Sequence, residues 1–207
     1  FHKAKGHTQY PSADSFARML IDLNKCVAPK LYVMDGIVAM EGNGPGSGDP
    51  VQMNVMLMST DPVALDSVFS RLVYLKPEMV PTNYHGEKMG LGTWKEEEIT
   101  LLTPDGEISM SEAVKRYGNP QFNVDRTEVR KNIWTRMAGA LNIFQKKPYI
   151  EADKCVRCGI CVQSCPVPGK AVDFRKGKGK PPVYDYKKCI RCFCCQEMCP
   201  KKAIKVK

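Results

Sequence analysis

The feature that most constrains this chain is a cysteine run that occurs twice. Cys155-x-x-Cys158-x-x-Cys161-x-x-x-Cys165-Pro166 is followed, 34 residues on, by Cys189-x-x-Cys192-x-x-Cys195-x-x-x-Cys199-Pro200. The likeness goes beyond cysteine: Lys-Cys-Val-Arg-Cys at 154–158 matches Lys-Cys-Ile-Arg-Cys at 188–192, and Ala171-Val172 answers Ala203-Ile204 with a two-residue offset. Internal duplication is the simplest reading. Three thiolates at two-residue separations on a tight loop can wrap three corners of one iron–sulfur cubane, while the fourth begins a helix leading away and reaches the other cluster. The spacing therefore assigns one 4Fe–4S cluster to Cys155, Cys158, Cys161 and Cys199, and a second to Cys189, Cys192, Cys195 and Cys165. Pro166 and Pro200 set the turn after each distal ligand, where a fixed φ and a missing N–H are harmless.

Two other cysteine chemistries fit less well. A disulfide framework needs an oxidising compartment and gives no reason for two matching runs of four. Zinc sites commonly use separated Cys-x-x-Cys pairs, not four cysteines in eleven residues ending in Cys-Pro. Two cysteines stand outside the pattern. Cys194 takes the position of Ile160 in the first half and reads as a non-ligand packed beside the cluster; Cys26 reads as a buried or half-buried thiol on a helix.

Nine of the ten cysteines lie between Cys155 and Cys199, which marks a boundary: an α/β domain over 1–147 and a small α+β domain over 148–207. Charge divides at the same place. Residues 1–147 hold 17 Lys+Arg against 17 Asp+Glu, and residues 148–207 hold 14 against 5, so the whole formal +9 sits in the last sixty residues. Oxidised cubanes would offset roughly half of it, at about −2 each. The remainder suits an acidic face on a redox partner better than nucleic acid, which is not expected to bind. A basic stretch, Arg175 to Pro182, reads as a solvated hairpin tip, with a partner-docking loop as the alternative. No run of eighteen apolar residues occurs, so no membrane span is expected, and no secretory signal is seen. The chain opens at Phe1-His2-Lys3 without methionine, which reads as a domain truncated at its N-terminus.

The first three quarters read as mixed α/β. Ser12 or Asp14 can cap a helix carrying Phe16, Leu20 and Leu23. Leu31–Met34 reads as a short buried strand ending at Asp35-Gly36, and Val51–Met58 as another. Asp61 caps a helix with Pro62 in its first turn. A strand near Ile99, a turn at Thr103-Pro-Asp-Gly and a helix from Arg126 to Phe144 complete the expectation. Met53, Met56 and Met58 read as core; His2, His7 and His85 are too scattered for a metal site. Between the strands lies Glu41-Gly-Asn-Gly-Pro-Gly-Ser-Gly-Asp49, with four glycines in seven residues. It reads either as a tight loop needing positive φ or as a loop that takes a small-molecule ligand, although neither phosphate-binding fingerprint is present. Asp35, Glu41, Asp49, Asp61 and Asp66 fall around it at expected strand ends and a helix start, where α/β sites lie. Asp61 is more simply a cap and Asp66 a solvated helix residue, so the catalytic residues stay unassigned.

The doubled motif resembles the bacterial two-cluster ferredoxins over about residues 148–207. The resemblance implies two short β-hairpins, two short helices and one-electron transfer at low potential. Val33-Met-Asp-Gly-Ile-Val-Ala-Met-Glu-Gly-Asn-Gly-Pro-Gly-Ser-Gly, with Ser59-Thr-Asp-Pro-Val-Ala-Leu-Asp66 and Gly90-Leu-Gly92, resembles the family known as domain of unknown function 362 over about residues 1–110. Members of that family are usually longer at the N-terminus and are often joined to a ferredoxin module in this order; the family supplies no established reaction. Three functions follow as expectations: a cytoplasmic electron carrier relaying single electrons through two clusters to a redox protein partner, a reductase whose active site lies near residues 35–66, and a binding domain with structural clusters.

Overall fold

The computed structural model describes residues 12–44, 46–126 and 146–207, with Gly6, Gln9 and Tyr10. The helix expected from Arg126 to Phe144 falls, apart from Arg126, outside the described residues, as do His2 and His7. The chain divides into two units, Ser12–Glu41 with Pro50–Arg126, and Gly42–Asp49 with Thr127–Lys207 and Phe1–Pro11. The described residues form mixed helix and strand, and every sheet has two strands.

In the first unit, helix α1 (Ala13–Val27) starts at Ser12, whose Oγ accepts the Ser15 N–H at 3.1 Å. It buries Ala17, Met19 and Ile21, while Leu20 stays 38% exposed and Phe16 and Leu23 are half-buried. The expected stripe is therefore displaced. The cause is the neighbour: α3 (Pro81–Lys88) carries Gly86, where an added Cβ would lie 2.5 Å from Val63 and 3.6 Å from Ile21. Close approach at a glycine selects which face of α1 is covered. Cys26, near the end of α1, is exposed, which corrects the expected buried thiol.

Strands β1 (Tyr32–Asn43) and β2 (Ser47–Ser59) form a long hairpin. The first strand does not stop at Asp35-Gly36, because Gly36 serves close packing: a Cβ there would sit 2.9 Å from the Val55 side chain. Nor is its start buried, with Leu31 and Val33 both exposed. Along β2, Met53 and Val55 are buried whereas Met56 and Met58 are 55% and 66% exposed. Residues of opposite parity point to opposite faces of a strand, so the three methionines cannot share a core.

Helix α2 (Pro62–Leu72) is capped by Asp61 as expected. Asp61 Oδ1 accepts the N–H groups of Val63 and Ala64 at 2.8 and 3.0 Å, and Oδ2 accepts that of Thr93 at 2.9 Å. The short pair β3 (Leu101–Thr103) and β4 (Gly106–Ile108) turns at Pro104-Asp105 and leads to α4 (Met110–Tyr117), capped by Ser109. Met53, Val55, Leu72, Val73 and Phe122 form the core. Arg126 donates to the carbonyls of Val73, Tyr74, Pro120 and Phe122 beside it.

Asp66 on α2 is half-buried rather than solvated, and burial raises its carboxyl above the usual range. A raised folded-state value means that the ionised carboxylate opposes folding above it, and that this opposition fades as pH falls towards the ordinary value near 4. Asp66→Asn is expected to raise the melting temperature at pH 7, with the gain shrinking on acidification; a gain that instead grows towards acid pH would show the opposite sign.

In the second unit, β5 (Pro148–Ile150) pairs antiparallel with β8 (Ile204–Val206), and β6 (Val172–Asp173) with β7 (Val183–Tyr184). Only β6–β7 is a hairpin; β5–β8 joins the two ends of the module, which corrects the expected pair of hairpins. Each sheet takes one strand from each repeat, so neither repeat completes a sheet alone. The single turns α5 (Ile160–Gln163) and α6 (Cys194–Glu197) occupy matching positions in the repeats. They precede Cys165 and Cys199 rather than starting there, so the distal cysteines end a helical turn. Arg175 to Lys180 is exposed at the β6–β7 tip.

Candidate metal centre

The repeats build two cavities by the same local means. Arg157 and Gly159 in the first repeat and Arg191 and Phe193 in the second all have positive φ, between 56° and 78°. These left-handed residues stand two places after the first cysteine and one after the second of each run, and such alternation curls backbone N–H groups into a concave nest suited to anions. The first cavity is lined by Cys155, Cys158, Cys161 and Cys199 among apolar neighbours including Ile150 and Ile204. The second is lined by Cys165, Cys189, Cys192 and Cys195 with Val172 and Tyr184. Each brings three cysteines of one repeat together with the last of the other.

The donor set fits an iron–sulfur cubane. The N–H of Ala171 points at Cys165 Sγ and that of Ala203 at Cys199 Sγ, both at 3.3 Å, and the Tyr184 hydroxyl donates to Cys195 Sγ at 3.1 Å. Such donors stabilise negative sulfur. Burial works against it: the thiols of Cys161 and Cys195 are pushed up to about 12 and about 11, chiefly by desolvation, and Cys189 is raised for the same reason. Thiols in that setting keep their protons until a cation supplies compensating charge, so loading iron releases protons. Among the described residues no three His, Cys, Asp or Glu side chains converge on a site for a single metal ion. Cys194 is buried and interacts with the Cys192 thiol, but it does not line the second cavity.

The Gly-rich segment Gly42–Asp49 belongs to the same unit as these cavities. Gly46 N–H donates to Glu197 O at 2.7 Å, and Ser47 Oγ donates to Cys199 O at 2.6 Å or Gln196 O at 2.8 Å. Asp49 pairs with Lys202. A Cβ on Gly46 would lie 2.8 to 2.9 Å from backbone atoms of Glu197 and Met198, so close approach requires glycine there. Two donors of this segment, Gly46 N–H and Ser47 Oγ, are thus spent on protein carbonyls. Of the other carboxylates, Asp35 lies mid-strand accepting the Ile37 N–H, Glu41 accepts that of Asn123, and Asp61 is the α2 cap. His85 is buried and meets Asp14 at 3.0 Å.

Sequence reasoning missed Tyr184, Lys170 and the use of Ser47. Lys170-Ala171 and Lys202-Ala203 recur within the duplication and were open to notice; nothing local distinguishes Tyr184 or Ser47.

Comparison with known proteins agrees with this chemistry. Residues 147–200 match the family described as a 4Fe-4S dicluster domain, and residues 1–71 match the Domain of unknown function (DUF362). The chain is 42% identical over 79 residues to the Thylakoid-associated protein sll1697 of Synechocystis sp., a match covering 38% of this chain and 25% of that protein. No solved structure matches the chain. No helix among the described residues is long and apolar enough to cross a membrane. The chain thus joins sequence that matches DUF362 to sequence that matches a 4Fe-4S dicluster domain, and the second match supports iron–sulfur binding.

Proposed function

We propose that this chain carries single electrons through two 4Fe–4S clusters, one held by Cys155, Cys158, Cys161 and Cys199 and the other by Cys189, Cys192, Cys195 and Cys165, on a ferredoxin-like domain over 148–207 that follows an α/β domain over 1–147. The observation that carries this reading is the sorting of the eight cysteines into two cavities, four to each, with the distal cysteines exchanged. A cubane, when bound, supplies a one-electron centre at low potential. The protein's part is to bury the thiolates, to aim the Ala171, Ala203 and Tyr184 donors at sulfur, and to hold the two sites within one small module.

The partner is a redox protein, acidic where it docks. Support comes from the 14 basic against 5 acidic residues of 148–207 and from the exposed Arg175–Lys180 tip. Opposite charge of this kind speeds encounter more than it strengthens the complex. Thiolate-held clusters suit a reducing compartment such as the cytoplasm.

Protein purified and reduced with dithionite under anaerobic conditions is expected to show cubane signals by electron paramagnetic resonance at about eight iron atoms per chain. A reduced sample with full iron but no low-potential cubane signal would sink the electron-carrier reading.

A further inference from the structure

The two repeats treat their distal cysteines differently, and the difference is electrostatic. In the first repeat Lys170 Nζ donates to Cys165 O at 2.8 Å and to Gln163 O at 3.3 Å. Lys202 is the counterpart of Lys170: each has positive φ, and each is followed by the alanine whose N–H meets the distal sulfur. Lys202 does not reach the matching carbonyls. Its ammonium is held by the Asp49 carboxylate, and the places Lys170 fills are taken by neutral donors, Ser47 Oγ on Cys199 O and Gly46 N–H on Glu197 O. The Gly-rich segment therefore puts an uncharged hydroxyl and a backbone amide where the other repeat has a cation, and it neutralises the lysine that would have supplied one.

The sulfur contacts are unequal in the same sense. Tyr184 donates to Cys195, which lines the cavity of Cys165. Cluster potentials rise with nearby positive charge and with hydrogen bonds to sulfur, because both favour the more negative reduced state. At the distal cysteines a lysine ammonium and the Tyr184 hydroxyl act together on the Cys165 side, whereas on the Cys199 side Lys202 is paired with Asp49 and the Ala203 N–H is the donor to sulfur. Arg157 and Lys201 line the Cys199 cavity whatever Lys202 does.

We propose that Gly46, Ser47 and Asp49 are positioning residues that lower the potential of the cluster held through Cys199, by keeping the Lys202 charge away from the carbonyls beside its distal ligand. The inference rests on the crossed ligation proposed above. Each couple takes one electron, the 2+ cubane becoming 1+, with no proton transferred; in the test the electrons come from dithionite.

The experiment is a potentiometric titration of the full chain followed by electron paramagnetic resonance, with iron counted in every sample. The unaltered protein should show two couples. Asp49→Asn frees the Lys202 charge and should raise one couple by roughly tenfold in its equilibrium constant, which is about 59 mV for one electron, leaving the other in place. Lys170→Gln should lower that other couple alone, and the double variant should move both in opposite senses. Both side chains are at least partly exposed and the replacements are of similar size, so iron content should be retained. With eight iron atoms and two couples present, two unmoved couples in Asp49→Asn, or movement of the same couple that Lys170→Gln moves, overturns the proposal while sparing the ligation reading. A chain that holds four iron atoms overturns both.

Discussion

Removing iron with a chelator under anaerobic conditions is expected to unfold residues 148–207 while α2 and the core around Leu72 and Phe122 stay protected. The physical reason is the composition of the module's core. Its buried cluster is Cys161, Cys165, Ala171, Val172, Cys195, Cys199, Ala203 and Ile204, and half of these are the proposed cluster ligands. Without metal the remaining apolar side chains are small, the sheets are two or three residues long, and the helices are single turns. A domain of about sixty residues has a marginal core, and here half of its buried cluster is cysteine. Metal binding free energy is folding free energy in such a case. Hydrogen exchange followed by mass spectrometry should show amides of 148–207 exchanging freely after chelation; retained protection at Ala171 and Ala203 would contradict the expectation.

Replacing single cysteines by serine should divide the eight into two groups that are not the two halves of the sequence. Cys199→Ser should leave the same cluster spectrum as Cys155→Ser, with iron falling from about eight atoms to about four, and Cys165→Ser should match Cys189→Ser. The cavity linings make this pairing specific, since Cys199 lies with Cys155, Cys158 and Cys161, and Cys165 with Cys189, Cys192 and Cys195. If Cys199→Ser matched Cys189→Ser instead, ligation would be local to each repeat and the exchange would be refuted.

Much of the metal centre was legible because its information is local. Cysteine spacing dictates which thiols a short loop can turn inward, and the repeated Arg-Cys pattern carries its backbone with it, left-handed residues included. The α2 start was legible for the same reason, since Asp61-Pro62 places an acceptor and a pre-set φ where a helix needs both. Failures came where a neighbour decides. Periodicity on α1 could not show that Gly86 would admit Ile21, nor could Asp35-Gly36, which resembles a turn, show that Gly36 makes room for Val55 inside a strand.

The doubled cysteine run by itself points to 4Fe–4S chemistry, to a ferredoxin-like module and to the ligand sets proposed above, because those depend on contacts between residues close in sequence or related by the repeat. Only the tertiary structure decided what stands behind the thiolates. Ser47 meets Cys199 across 152 residues of chain, and Lys202 meets Asp49 across 153. No spacing rule reaches that far. A hydrogen bond is set by where two segments end up, and that is a property of the packed chain rather than of any stretch of its sequence.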